Sequence, residues 1–298
     1  MQTVENSNLS EKPKNLLQLF VNELKHDILA SISLVLLVVI FLTIFIGAFI
    51  IESLFNVMWV VPTPLPVSPA NSGTLLGLDS LGRNQFHLIF VAARNSLIIS
   101  LGITFFSFIL GIVVGVISGF YGGKTDNIIM RIVDTWNMIP FLMVAIAILS
   151  ILPRTVPNFI ILLTAFTWVG RARLLRASAL SQSQMDYISA SKTLGTPNIV
   201  IIFREMLPNL VDVTVANFVL TLAASIGIET GLSLLGFGLG WDFPSLGTMM
   251  QNAVNPMYLQ HFPWVWAPAL VLVCVIMLCV NFVGNALQRV SDPKQRYA

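Results

Sequence analysis

Few residues of this 298-residue chain could do chemistry, and their spacing argues against most kinds. Gly123-Lys124-Thr125 matches the end of a phosphate-binding loop. That motif needs a glycine five positions before Gly123, where Ser118 stands, and a preceding strand, where an apolar run lies. A tight glycine-rich turn is expected there instead. His26, His87 and His261 are scattered over tail and loops with no metal-ligand spacing, and Ser, Cys and His form no catalytic set. Cys274 and Cys279 share one apolar run, five apart and so on different helix faces. They are expected to pack as small hydrophobes rather than pair or bind metal. The residues therefore give no positive sign of an enzyme, and the chain is expected to bind no cofactor or metal of its own.

Two features stand out from this background. Glu229 is a lone carboxyl inside an apolar run, and an ionisable residue at membrane depth is a functional candidate. Glycines at 227, 231, 236, 238, 240 and 247 favour a broken or re-entrant segment around it, so it either lines a pathway or caps a break. The second feature is residues 186–209, a polar stretch carrying Lys192, Arg204 and Glu205. Helical spacing puts Tyr187, Ala190 and Leu194 on one face. Thr196-Pro197 can open a second helix whose apolar face would be Ile199, Ile202, Phe203 and Met206, ending at Pro208. Two short helices of this kind suit either a partner's groove or the membrane surface.

The elements that position these residues are membrane spans. The chain is 56% hydrophobic, only 10% charged, and has a mean hydropathy of +0.84. A soluble domain carries about 25% charged residues. The expected class is an all-α polytopic membrane protein lodged in a lipid bilayer, and a net charge of +2 gives no reason to expect nucleic acid. Apolar runs of about 20 residues mark spans at roughly 29–51, 96–120, 128–151, 156–171, 212–236 and 264–287. The fourth is short and is expected to end at Gly170-Arg171. The run Ile28–Ile51 is too long for a cleaved leader and reads as a retained span. With a cytoplasmic N-terminus, thirteen basic residues fall inside. Arg83, Arg94 and Arg154 fall outside, completing the sixteen Lys and Arg of the chain. That asymmetry fits six spans with both termini inside, and part of it is the cluster Arg171, Arg173 and Arg176. The expected organisation is a cytoplasmic tail over 1–28, a first span over 29–51 and an extracellular loop over 52–95. A core over 96–288 follows, containing the cytoplasmic segment 171–211, and then a tail over 289–298. Pro62, Pro64, Pro66 and Pro69 predict extended backbone, and Trp241, Trp264 and Trp266 predict interfacial anchors.

The 186–209 segment resembles the cytoplasmic loop of ABC importer permeases. That loop has Glu-Ala-Ala, three residues, Gly, nine residues, Ile, one residue and Leu-Pro. Here the pattern falls on Ser189-Ala190-Ser191, Gly195, Glu205 and Leu207-Pro208, with Ser189 in place of the acid, Glu205 in place of the Ile, and Asp186 nearby. Other stretches are similar to dipeptide and oligopeptide permeases of the second, C type. They are Leu78–Asn84 with Arg94–Leu97, Gly119–Gly123 with Asp126, Arg131, Asp134 and Pro140, Trp168–Arg176, and Glu229–Gly238 with Pro244–Gly247. Nickel and antimicrobial-peptide uptake permeases share the pattern. The resemblance implies a six-span type I importer permease of the bacterial inner or plasma membrane. It implies pairing with a homologous B-type permease, two cytoplasmic ATPases that bind ATP and Mg, and an extracellular binding protein that delivers peptide. By the same resemblance, Asp186, Tyr187, Ala190, Lys192, Leu194, Gly195, Arg204, Leu207 and Pro208 are the coupling candidates. Glu229, Ser233, Gly236 and Asp134 are the pathway or gate candidates, and Asp79, Gly82 and Arg83 mark the extracellular loop. The rival from another class, a self-contained secondary transporter, would need ionisable pairs within the spans.

Overall fold

The computed structural model describes residues 16–55, 62–63, 65–240 and 242–291, with side chains from Leu19 onward. Residues 1–15 and 292–298 of the two expected tails lie outside the described residues, as do Pro64 and Trp241. The described residues form helices: α1 (Leu16–His26), α2 (Ile28–Leu54), α3 (Pro69–Ser72), α4 (Gln85–Tyr121), α5 (Gly123–Asn137), α6 (Phe141–Ile151) and α7 (Val156–Ser183). They continue with α8 (Asp186–Thr193), α9 (Asn198–Ile201), α10 (Leu207–Leu234), α11 (Leu246–Met250), α12 (Pro256–His261) and α13 (Pro263–Ser291). A π turn (Ile202–Met206) joins α9 to α10, and a 3₁₀ turn (Gln251–Val254) follows α11. Among the described residues of the loop before α4, two isolated bridges form, Val67 with Leu78 and Leu78 with Asn84.

Among the described residues, five helices are long and apolar enough to cross a membrane: α2, α4, α7, the α9–α10 run and α13. Counting the bent pair α5 and α6 as one crossing gives six. That pair is bent by 70° at Met138–Pro140, because the residue before a proline is driven out of the α region. In α2, 17% of the most apolar window is buried, against 44% in α4 and in α13. Thus α4 and α13 are central, while most of α2 is exposed.

Several expected boundaries move. The segment 156–171 does not stop at Gly170-Arg171, since α7 runs on to Ser183. Arg, Ala and Leu after Gly170 are strong helix formers, and one glycine costs only about 1 kcal/mol. The glycines at 227 and 231 do not break α10. Pro208 does not end the second cytoplasmic helix but sits in the first turn of α10. The π turn explains its tolerance. The Leu207 N–H reaches back five residues to the Ile202 carbonyl, inserting one extra residue where the ring would otherwise clash. The apolar face of this helix is also reassigned. Ile201, Ile202 and Met206 are buried, whereas Ile199 and Phe203 are more than 60% exposed. The N-terminal segment forms a helix, α1, whose Glu23, with Asp27 just beyond it, pairs with Arg289 at the end of α13.

The tightest seam joins α4 to α7. Gly111, Gly115 and Gly119 form a four-residue repeat along α4, and a Cβ on any of them would come within 2.7 Å of α7 atoms. Small residues at this spacing let two membrane helices touch backbone to backbone.

Candidate functional site

At one end of the bundle, α8 is held by its own small core. Ile188 is fully buried among Val116, Phe120, Ala179, Ile201, Met206 and Leu210, contributed by α4, α7 and the α9–α10 run. Polar contacts fix the rest. The Tyr187 hydroxyl donates to Gln182 Oε1 at 2.6 Å and accepts from Asn209 Nδ2 at 3.1 Å. The Ser191 hydroxyl lies 2.8 Å from both oxygens of Glu205. The Lys192 ammonium stands 4.6 Å from the Phe120 ring centroid. Asp186 sits in the first turn of α8, where a negative charge suits the helix N-terminus.

The end of α8 explains Gly195. Its φ is +77°, its N–H donates to the Lys192 carbonyl at 3.1 Å, and the Thr196 N–H donates to the Ser191 carbonyl at 3.1 Å. These two bonds define a left-handed helix stop that a side chain would strain. It turns the chain sharply from α8 into α9. Anchoring by Ile188 leaves Tyr187, Ala190 and Leu194 turned outward on one face, with Leu194 84% exposed. Arg204 and Pro208 are also exposed, and Leu207 is half-buried against the same core. Tyr187, Ala190 and Leu194 thus share one exposed face, as the helical spacing predicts, while Lys192 and Tyr187 also pin the helix in place.

Just above this core, two ion pairs tie α5 to α7. Arg176 donates to both carboxylate oxygens of Asp126, which also accepts from Ser118. Arg173 Nη2 lies 2.7 Å from Asp134 Oδ1. The arginine cluster read as a membrane-orientation signal is thus partly an internal brace. Asp126 was missed as a site residue, although the i,i+3 spacing of Arg173 and Arg176 on one face was the available signal. Gly122 and Gly123 make the tight turn into α5, as the sequence predicted for Gly123-Lys124-Thr125.

At the opposite end, motifs far apart in sequence converge. Glu229 is 1% exposed within an unbroken helix. Its carboxyl group accepts from Ser233 at 3.0 Å and Thr230 at 3.4 Å. Ser96 accepts the Leu246 N–H at 3.0 Å, and Asn95 Nδ2 donates to the Pro244 carbonyl at 2.8 Å. Gly236 makes the turn out of α10 with φ +89°. Gly238 and Gly247 lie so close to Ser233 that a Cβ on either would fall within 2.4 Å of its side chain. This knot fastens the 236–250 segment to α4 and α10. Beside it Asp79 and Arg83 form a buried pair at 2.8 Å, and Asp79 Oδ1 also accepts the Leu81 and Arg83 N–H groups around Gly82. Between the two ends, the α5–α6 bend leaves a cavity of about 400 Å³ lined by Trp136, Asn137, Phe141, Phe166, Thr167 and Ile228. Among the described residues, no cluster of His, Cys, Asp or Glu could hold a metal.

Residues 111–297 match the family described as binding-protein-dependent transport system inner membrane component. The chain is 40% identical over 289 residues to the oligopeptide transport system permease protein OppC of Lactococcus lactis subsp. cremoris, covering 96% of this chain and 98% of that protein. It is 34% identical over 229 residues to OppC of Bacillus subtilis, covering 76% and 74%. It is 32% identical over 228 residues to the dipeptide transport system permease protein DppC of Bacillus subtilis, covering 76% and 71%. A chain of the MetNI methionine ABC transporter, solved in inward facing conformations, aligns with a TM-score of 0.56 and 21% identity, covering 70% of this chain and 97% of that chain. That last likeness is one of fold. This chain therefore belongs to the binding-protein-dependent transport system inner membrane components and has the type I ABC importer permease fold.

Proposed function

We propose that this chain is the C-type permease subunit of an ATP-driven importer for oligopeptides or dipeptides. It forms half of the translocation pathway, pairs with a homologous B-type permease, and receives ATPase motion through α8. The N- and C-termini face the cytoplasm and the 55–84 loop faces the extracellular binding protein. The near full-length identity to an oligopeptide permease supports the cargo class.

The observation that carries the mechanism is α8, a short helix rooted by buried Ile188 that turns Tyr187, Ala190 and Leu194 outward. A rooted helix transmits force, whereas a loosely attached one absorbs it. Closure of the ATPases around ATP pulls on the outward ridge, and Ile188, Tyr187 and the Ser191–Glu205 contact pass the displacement to α4, α7 and α10. The run Asn198–Leu234 has 37 residues and reaches the Glu229 knot, so it is a lever of roughly 55 Å at 1.5 Å per residue. ATP thus biases one of two packings of a connected body. Glu229, Ser233 and Gly236 act as a gate through the segment they hold, while the cavity at the α5–α6 bend supplies pathway wall. Asp134 braces that wall through Arg173.

A self-contained secondary transporter needs ionisable groups lining its route. Glu229 is enclosed by hydroxyls and Asp134 is paired with Arg173, which favours the ATP-driven reading. The test is isolation of the tagged chain from its own cell. The expected result is a complex with a second permease and two ATPases that takes up labelled peptide into proteoliposomes on ATP addition. Recovery of the chain without any ATPase would overturn the reading.

A further inference from the structure

A chain of polar contacts ties the last turn of α2 to the Glu229 knot. Glu52 of that turn meets Arg94 of α4. Arg94 Nη1 lies 2.5 Å from Glu52 Oε2, and Nη2 lies 2.8 Å from Oε1, a bidentate pair. The same Nη2 donates to Asn95 Oδ1 at 3.1 Å. Asn95 is buried, and its Nδ2 donates to the Pro244 carbonyl. The next residue, Ser96, accepts the Leu246 N–H. Two consecutive side chains of α4 therefore hold the backbone on both sides of Ser245, the residue that caps α11. Gly247 follows and lies against Ser233, which donates to Glu229.

The amide of Asn95 decides whether this chain holds. An amide has one acceptor side and one donor side. Asn95 grips Pro244 only while its donor side faces the Pro244 carbonyl, which leaves Oδ1 facing Arg94. With a donor at that place the orientation is fixed. With the donor gone, the amide is free to turn and set Oδ1 against the carbonyl, oxygen facing oxygen. Glu52 in turn fixes the guanidinium. Among the described residues the buried Arg94 Nε has no acceptor, so Glu52 and Asn95 are what orient the group.

We propose that Arg94 and Glu52 are positioning residues for the gate segment 236–250. Arg94 fixes the Asn95 amide, and Glu52 acts only through Arg94. By this route α2, the least buried of the five long helices, helps to set the place of α11 against α10. The inference rests on the reading of 236–250 as a gate in an ATP-driven importer.

The test is hydrogen–deuterium exchange of the intact complex in nanodiscs. The Ser245, Leu246, Thr248 and Met249 N–H groups are all hydrogen-bonded, so their exchange reports how firmly the segment is held. Arg94→Met keeps an unbranched stem without a donor and should speed that exchange about tenfold, the effect of losing one buried hydrogen bond. Arg94→Gln returns a donor to Asn95 and should restore the parental rate. Glu52→Leu should speed exchange about threefold in the parent. It should add nothing beside Arg94→Met, because a residue that acts through another is silent once the other is gone. Exchange across α8 should stay parental throughout.

Equal exchange in Arg94→Met and Arg94→Gln overturns the proposal. So does a Glu52→Leu effect that persists beside Arg94→Met, or a rise that extends to α8, since either means a plain brace between α2 and α4. If Arg94→Met does not assemble, parental exchange in Glu52→Leu alone overturns it. ATP-driven peptide uptake by the same complexes should fall about tenfold in Arg94→Met and recover in Arg94→Gln. Parental uptake by Arg94→Met overturns the role in gating. The exchange readout needs neither ATP nor peptide, so its outcome is independent of whether the transport reading holds.

Discussion

Replacing Gly115 by alanine tests whether α4 and α7 touch through their backbones. A new Cβ there would lie 2.5 Å from the Ala172 carbonyl oxygen, 2.9 Å from the Arg176 nitrogen and 3.0 Å from Leu175 Cβ. Two of these atoms are backbone and cannot rotate away, so the helices must part. Alanine in a helix gains about 0.5–1 kcal/mol over glycine. Overpacking costs about 1–3 kcal/mol, leaving Gly115→Ala destabilised by up to about 2.5 kcal/mol. Gly170, in α7, has nothing within 4 Å of its virtual Cβ, so Gly170→Ala keeps the gain without the cost. Thermal unfolding of the purified protein, followed by tryptophan fluorescence, should rank Gly170→Ala at or above the parent and Gly115→Ala below it. A Gly115→Ala protein as stable as Gly170→Ala would refute the close seam.

Asp79→Ala removes the acceptor for Arg83 Nε and for two backbone N–H groups. It should destabilise by about 3–5 kcal/mol, as breaking a buried ion pair does, and be seen as lost membrane expression. Glu229→Ala strips buried hydroxyls of their acceptor at about 1–3 kcal/mol each, whereas Glu229→Gln keeps shape and one oxygen and should cost less. Equal melting temperatures for the two would contradict the knot. The Asp27 carboxyl is held below its usual range by the Ala30 N–H and then by Arg289. A depressed carboxyl contributes its stability at neutral pH and loses it as pH falls through the depressed value, below about 4. Protease cleavage within α1 should stay flat from pH 7 down to that range and then rise, and a rise already near pH 6 would count against the Arg289 clasp.

How far the sequence went depends on whether the signal was local. The five long apolar helices, with the bent α5–α6 pair as a sixth candidate, and the shared face of Tyr187, Ala190 and Leu194 followed from apolar run length and 3.6-residue spacing, both properties of a single segment. The π turn was not legible because a proline reads as a stop, and only a shifted bond from Leu207 to Ile202 reveals otherwise. The glycines around Glu229 read as a break. In fact Gly238 and Gly247, after α10, give room for a returning segment to lie against Ser233. The pairing of Asp126 with Arg176 joins two motifs fifty residues apart, and no local pattern names a partner at that distance. The motifs themselves were visible, but what they do to each other is tertiary.

The central claim is that motion enters through the exposed face of α8. It is tested most directly by placing an arginine at Ala190, whose side chain faces outward and supports no core. Uptake of labelled peptide by proteoliposomes holding the assembled importer would be measured against the parent, with melting temperature as the check on folding. The account predicts that Ala190→Arg melts with the parent and loses ATP-driven uptake by an order of magnitude or more, about 1.4 kcal/mol of coupling or greater. Uptake at the parental rate from an equally stable protein would contradict it.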